Sequence, residues 1–288
     1  MLYLMVSVLC SVSVGVLLKH WGSRGMDAAQ LVTWNYLAAA GLAWGVLQPS
    51  PAVLTAATTP WPLLLGLGLA LPLVFLLMAR SLATAGIVRT DAAQRLSLLI
   101  SLAAAFWLFG EVANAWKLAG LGVGLVAIGC LLARPTARSV WADRGGRAWP
   151  WLLATWAGYG LIDIALKQVA SSGTATTAAL AVSFSLAFVL MLGLQLLRQA
   201  RRRTRIDARQ LGAGLLLGGL NFANILTYIR AHQAMSESPA TVFAGMNIGV
   251  VALGTLAGVL LFGERTSRLN QAGLLLAISA IVLIALGS

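Results

Sequence analysis

Four ionisable side chains interrupt otherwise apolar stretches of this sequence: Arg89, Asp91 and Arg95 in one stretch, Asp163 in another. An ionised group in hydrocarbon costs about 3 kcal/mol on insertion scales, so each requires a partner, a wet cavity or a ligand. Asp91 and Arg95 are four residues apart, which puts them on one helical face as a mutually neutralising pair. Arg95 would lie about 16 Å into its helix, near mid-membrane. A guanidinium facing a chamber at that depth suits a carboxylate or phosphate, which it holds through paired hydrogen bonds. Arg89 and Arg95 are therefore candidate substrate contacts. Asp163 stands four residues before Lys167. It either pairs with that lysine, whose stem can snorkel to the surface, or acts as a proton-carrying or amine-binding acid. Asp91 and Asp163 are the candidate proton-coupling groups.

Uncharged polar residues supply a second set. Asn221, Asn224 and Tyr228 follow spacings of three and four, hence one helical face, suited to a ligand or to hydrogen bonds between helices. Tyr159 lies one turn before Asp163. Trp34 with Asn35 offers a polar and aromatic lining, and Asn247 and Gln94 stand at matching distances before Glu264 and Glu111. Catalysis finds no support. His20 and His232 are the only histidines, and the chain has neither a His-Glu-x-x-His metal motif nor a Gly-x-Ser-x-Gly nucleophile elbow. Cys10 and Cys130 read as buried thiols. No enzyme activity, metal or cofactor is expected.

The elements that must position these groups are membrane helices. Of 288 residues, 59% are hydrophobic and 10% charged, too little polar surface for a soluble domain. Apolar runs of the length needed to cross about 30 Å of hydrocarbon recur along the chain. Ten spans are expected: 2–18, 28–48, 61–79, 84–109, 115–133, 150–169, 174–197, 210–229, 240–262 and 269–287. The net charge of +12 is not a nucleic-acid signature, because its arginines cluster in short loops. Connections after spans 1, 3, 5, 7 and 9 hold fifteen basic residues against three in the others, which places the former in the cytoplasm and both termini outside.

The chain also repeats itself. Leu108-Phe109-Gly110-Glu111 recurs as Leu261-Phe262-Gly263-Glu264, each followed by an Ala-Gly pair, Ala119-Gly120 and Ala272-Gly273. Leu18-Lys19 recurs as Leu166-Lys167, each ahead of a glycine turn at Gly25 and Gly173. The offsets are 153 and 148 residues. Five helices per unit is odd, so the second copy must cross the membrane upside down, a plan that puts a substrate site at the repeat interface. The expected organisation is an all-α membrane protein of ten transmembrane helices in two inverted five-helix repeats, 1–134 and 150–288, joined by a 135–149 linker.

With these motifs the sequence resembles the ten-helix EamA-like branch of the drug/metabolite transporter superfamily, over essentially its whole length. The resemblance implies secondary transport, here of a small anionic or zwitterionic metabolite such as an amino acid, by export or exchange and with proton coupling. It also implies a multi-pass protein of the plasma membrane (the bacterial inner membrane), a monomer or homodimer, partnered by substrate and lipid bilayer. Relatives in this branch are often drawn with both termini cytoplasmic, opposite to the loop-charge reading. The small multidrug resistance proteins of the same superfamily carry a first-helix glutamate eight residues before a Leu/Met-Lys end. Its places here are Ser11 and Tyr159, which argues against exchange of drug cations for protons. The alternatives are a flippase for a lipid-linked sugar or lipid phosphate, and a non-transporting scaffold.

Overall fold

The computed structural model of the chain describes residues 1–55, 59–107, 114–132, 148–201, 204–235 and 239–287. All regular structure among them is helical. In chain order the α-helices are α1 (Leu2–Ser23), α2 (Ala28–Leu42), α3 (Trp61–Ala85), α4 (Ile87–Arg95), α5 (Leu98–Trp107), α6 (Ala115–Leu132), α7 (Trp149–Ser171), α8 (Thr176–Ala200), α9 (Ala208–Ala234), α10 (Pro239–Phe262) and α11 (Arg268–Leu286). A π-helical turn, Ala43–Leu47, extends α2. Helices α1, α3, α8, α9, α10 and α11 are each long and apolar enough to cross a membrane. The protein is therefore an all-α, multi-pass membrane protein. The first Phe-Gly-Glu copy and the linker arginines Arg134, Arg138, Arg144 and Arg147 lie outside the described residues.

Most helices overrun the apolar runs that predict them: α1 continues to Ser23 and α3 to Ala85. The larger departure concerns the stretch expected as one span over 84–109. It is divided into α4 and α5 by a break at Leu96 and Ser97, where Ser97 N bonds to Gln94 O and Leu99 N to Leu96 O. Apolarity alone does not register such a break. It depends on whether something else satisfies the freed backbone groups, which no bilayer lipid can do.

Glycines set how closely the helices approach. Where α9 crosses α2, a Cβ on Gly214 would lie 2.5 Å from Trp34 Cβ, and one on Gly218 2.3 Å from the Asn35 carbonyl oxygen. Where α3 crosses α8, a Cβ on Gly68 would lie 2.6 Å from Leu186 Cβ. Helix α1 meets α10 at Gly245 and Gly249, opposite Leu4 and Val8, and α11 meets α6 at Gly120 and Gly273. Small residues at crossings are how lipid-embedded helices gain contact without a hydrophobic driving force between them.

Polar contacts gather the ends of the helices into two sets. At one end Arg198 pairs with Asp27 at 2.7 Å, Gln30 donates to Arg205 O, and Lys19 pairs with Glu264, which in turn reaches the start of α4. At the other, the Met1 amino group approaches Met235 Sδ, and Asn114 donates to Gly287 O.

Candidate functional site

Helix α1 places small or polar residues every fourth position: Ser7, Ser11, Gly15 and Lys19. That spacing makes one continuous stripe. Ser7 Oγ donates to Asn224 Oδ1 on α9 at 2.8 Å. Ser11 Oγ accepts from Arg95 Nη2 at 2.8 Å. A Cβ on Gly15 would lie 3.8 Å from Asp91 Oδ1. Lys19 pairs with Glu264 and lies 4.5 Å above the Phe262 ring. The stripe thus runs from α9, past both charged residues of α4, to the Phe-Gly-Glu turn.

That turn builds the local structure of α4. Gly263 adopts φ +59°, and Glu264 N bonds back to Gly258 O. The glutamate is thereby carried to the start of α4, where its carboxylate accepts from Ile87 N at 2.7 Å and Val88 N at 3.1 Å. A carboxylate on the first amides of a helix satisfies orphan donors and complements the helix dipole. Gly86, at φ +85°, leaves room for it, since a Cβ there would meet the carboxylate at 2.6 Å. Glu264 is therefore a clamp on α4. At the other end of α4, Trp156 Nε1 from α7 donates to Leu96 O at 2.9 Å, a second hydrogen bond on a carbonyl that also accepts from Leu99 N.

Between these two anchors Arg95 is the centre of a charged and aromatic group. Its guanidinium interacts electrostatically with Asp91, Tyr159, Tyr228 and Asp163, side chains from three helices. Apart from the bond to Ser11 it is under-used: Nε is buried with no hydrogen-bond partner. Asp91 is buried, with Oδ2 unpartnered, and the close ion pair expected four residues along the helix does not form. Its carboxylate is instead pressed against α10, where a Cβ on Gly254 would lie 2.1 Å from Oδ2. Asp163 is solvent-accessible and accepts from Ser101 Oγ on α5 at 3.1 Å, with Ser97 beside it. Tyr159 donates to Met78 Sδ at 3.2 Å, and Tyr228 stacks edge-on with His232.

The remaining sequence candidates do different work. Arg89 Nε donates to Leu131 O at 2.7 Å, an arginine at the negative end of α6. Asn247 donates to Phe243 O within its own helix at 2.9 Å. Asn224 joins the group through Ser7, and Asn221 is half-buried one turn earlier on α9. Trp34 and Asn35 lie at the α2–α9 crossing, with Trp34 Nε1 and both amide atoms of Asn35 buried and unpartnered. The sequence reading missed Ser97, Ser101, Trp156, Gly15 and Gly254. The first-helix stripe was detectable in its four-residue spacing; contacts between helices left no such signal. Among the described residues no His, Cys, Asp and Glu cluster could hold a metal ion.

The resulting site has one guanidinium with spare donors, two carboxylates, two tyrosines and several hydroxyls, assembled from α1, α4, α5, α7 and α9 beside a break in a helix. No family model matches the sequence. An uncharacterized protein of Haemophilus influenzae is 42% identical to it over 283 residues, covering 96% of this chain and 95% of that protein. At that identity and coverage, the chain belongs to the same protein family as the Haemophilus influenzae protein.

Proposed function

We propose that the protein is a secondary active transporter that moves a small anionic or zwitterionic metabolite by alternating access. The observation that carries this reading is Arg95, a membrane-depth guanidinium with an unpartnered buried Nε, facing two acids and two tyrosines at a helix break. Unsatisfied charge in such a place is stored binding capacity. Discontinuous helices with their free polar groups are the usual means by which transporters build a site at the bilayer midplane. Asp91 and Asp163 are the acids available for proton coupling.

The moving parts in this proposal are two inverted five-helix halves, 1–134 and 150–288, giving ten crossings, with α4 and α5 together counted as one. The packing supports it, because the pairings survive exchange of the halves. Helix α1 rests on α10 as α7 rests on α4 and α5, α9 lies against α1 and α2 as α3 lies against α7 and α8, and the pairs α2–α8 and α6–α11 are each exchanged into themselves. The grouping of helix ends supports an even number of crossings, with the N-terminus and residue 287 on one side. Loop charges place that side outside the plasma membrane.

The test is flux into proteoliposomes, preceded by a thermal-shift screen of amino acids, nucleobases and phosphorylated metabolites. Arg95→Ala is expected to abolish flux while the protein remains folded. Unchanged flux in that variant would remove Arg95 from the site. Single-cysteine labelling at Arg205 from either side of the membrane tests the orientation.

A further inference from the structure

Six arginines fall between residues 198 and 209, more than any other connection in the chain holds. The connection itself is fastened down where it passes over the start of α2. Gln30, buried on α2, donates to Arg205 O at 2.8 Å and accepts from Asp207 N at 3.2 Å. Gln210 Oε1 accepts from Asp27 N at 2.8 Å, and buried Gln195 donates to Thr204 Oγ1 at 3.0 Å. Arg202 and Arg203 lie outside the described residues.

The acids at this end are already committed. Asp27 pairs with Arg198, and Asp207 caps α9 by accepting from Arg209 N. Arg201, Arg205 and Arg209 are exposed, and among the described residues no carboxylate pairs with them. Like charges held this close repel one another, so an anion between them relieves a standing cost.

The helix faces say where that anion would come from. On α8, Leu190, Leu194 and Leu197 are 44%, 41% and 48% exposed, and their spacing of four and three continues to Arg201 after four more. They form one stripe, apolar along the bilayer and cationic at its end. On α9 the order is reversed: Arg209 leads, followed on the same face by exposed Gly212 and by Leu216, 53% exposed. Ile206, beside Arg205, is exposed as well. A guanidinium that ends a lipid-facing stripe stands at the depth of headgroup phosphates, which it holds through paired hydrogen bonds. The opposite ends of α8 and α9 carry a single arginine, Arg230.

We infer that Arg201, Arg205 and Arg209 form a binding surface for anionic phospholipid headgroups at the shared end of α8 and α9. The glutamine clasps on α2 hold the connection in place beforehand, so binding a headgroup orders little further backbone. The inference needs only that the chain is embedded in a bilayer, and it stands or falls separately from the transporter reading.

The experiment titrates dioleoyl phosphatidylglycerol, dioleoyl phosphatidylcholine or inorganic phosphate into the purified full-length chain in an uncharged detergent and reads the midpoint of thermal stabilisation. The anionic lipid is expected to act at a concentration roughly a hundredfold lower than the zwitterionic one, at about fivefold per arginine. That preference should shrink as salt rises from about 0.1 to 0.5 M. Each single arginine-to-glutamine variant is expected to weaken the anionic lipid about fivefold, and Arg201→Gln/Arg205→Gln/Arg209→Gln to abolish the preference. Arg230→Gln should leave it intact. Equal midpoints for the two lipids overturn the inference, as does a triple variant that keeps the preference or inorganic phosphate that matches the anionic lipid. If the triple variant does not fold, the single variants and native mass spectrometry of lipid retained by the unaltered chain decide. Equal retention of both lipids is then the overturning result.

Discussion

Helix α10 is continuous where α4–α5 is broken, although the two stretches stand 153 residues apart in the same register. The neighbours account for the difference. Against α10, Val8 of α1 faces Gly249, and the helix runs on unbroken. At the matching place Trp156 of α7 faces Leu96, and its indole N–H adds a second hydrogen bond to the Leu96 carbonyl at the break. A valine offers no such donor, so an equivalent break in α10 would leave its carbonyl with one partner instead of two. Of the two stretches that share motifs, only one is therefore opened, and the charged residues Asp91 and Arg95 stand beside the break.

The sharpest way to break this comparison is at Glu264, which holds the start of α4 and pairs with a lysine while both are largely buried. Glu264→Ala is expected to destabilise the protein by on the order of 3–5 kcal/mol, since it strands Lys19 and two helix amides. Hydrogen exchange at Ile87 and Val88 should accelerate more than exchange within α10. Equal acceleration in both would mean that the clamp serves the whole bundle.

Next come the paired close crossings. Gly218→Ala would press a methyl group against backbone, the Asn35 carbonyl oxygen, and is expected to cost about 3 kcal/mol. Gly68→Ala meets the Leu186 side chain, which can shift, and should cost roughly half as much. Thermal unfolding in one detergent ranks the two; the reverse order would show that α3–α8 is the tighter crossing. Trp156→Phe removes the donor and also trims the bicyclic ring to a single one, so about 1–3 kcal/mol should be lost. Its diagnostic is faster exchange at Ser97 to Leu99 with α10 unaffected. The smallest effect is at the turns. Gly25 and Gly173 have φ of +80° and +82°, and alanine at either should cost roughly 1 kcal/mol, equally at the two turns. Unequal costs would show that the turns, unlike the helix breaks, are not equivalent.

Much of the architecture was legible in advance because it is written in local pattern. Helix positions followed from apolar runs, and turns such as Gly25 and Gly173 from residue type. Arg95, Asp91, Tyr159, Asp163 and Tyr228 were marked as candidates simply because polar groups at those depths need a reason, and the structure brings them within electrostatic reach of one another. Arg89 was marked by the same rule, and its Nε donates to the Leu131 carbonyl at the end of α6. The contact of Asp163 with Ser101 left no local signal, because Ser101 becomes adjacent only when α5 packs on α7.

The sequence by itself determined that this chain lives in a bilayer, which stretches are helical, and that two segments of it share motifs in register. Those properties depend on composition and on neighbours within one or two turns. Only the tertiary structure decided where the helix breaks, that a glutamate from a distant turn clamps α4, and which of the buried charges lack a close partner. Each of these depends on groups from helices far apart in the chain, and hydrogen-bond satisfaction in lipid is settled by whichever donor or acceptor the packing delivers.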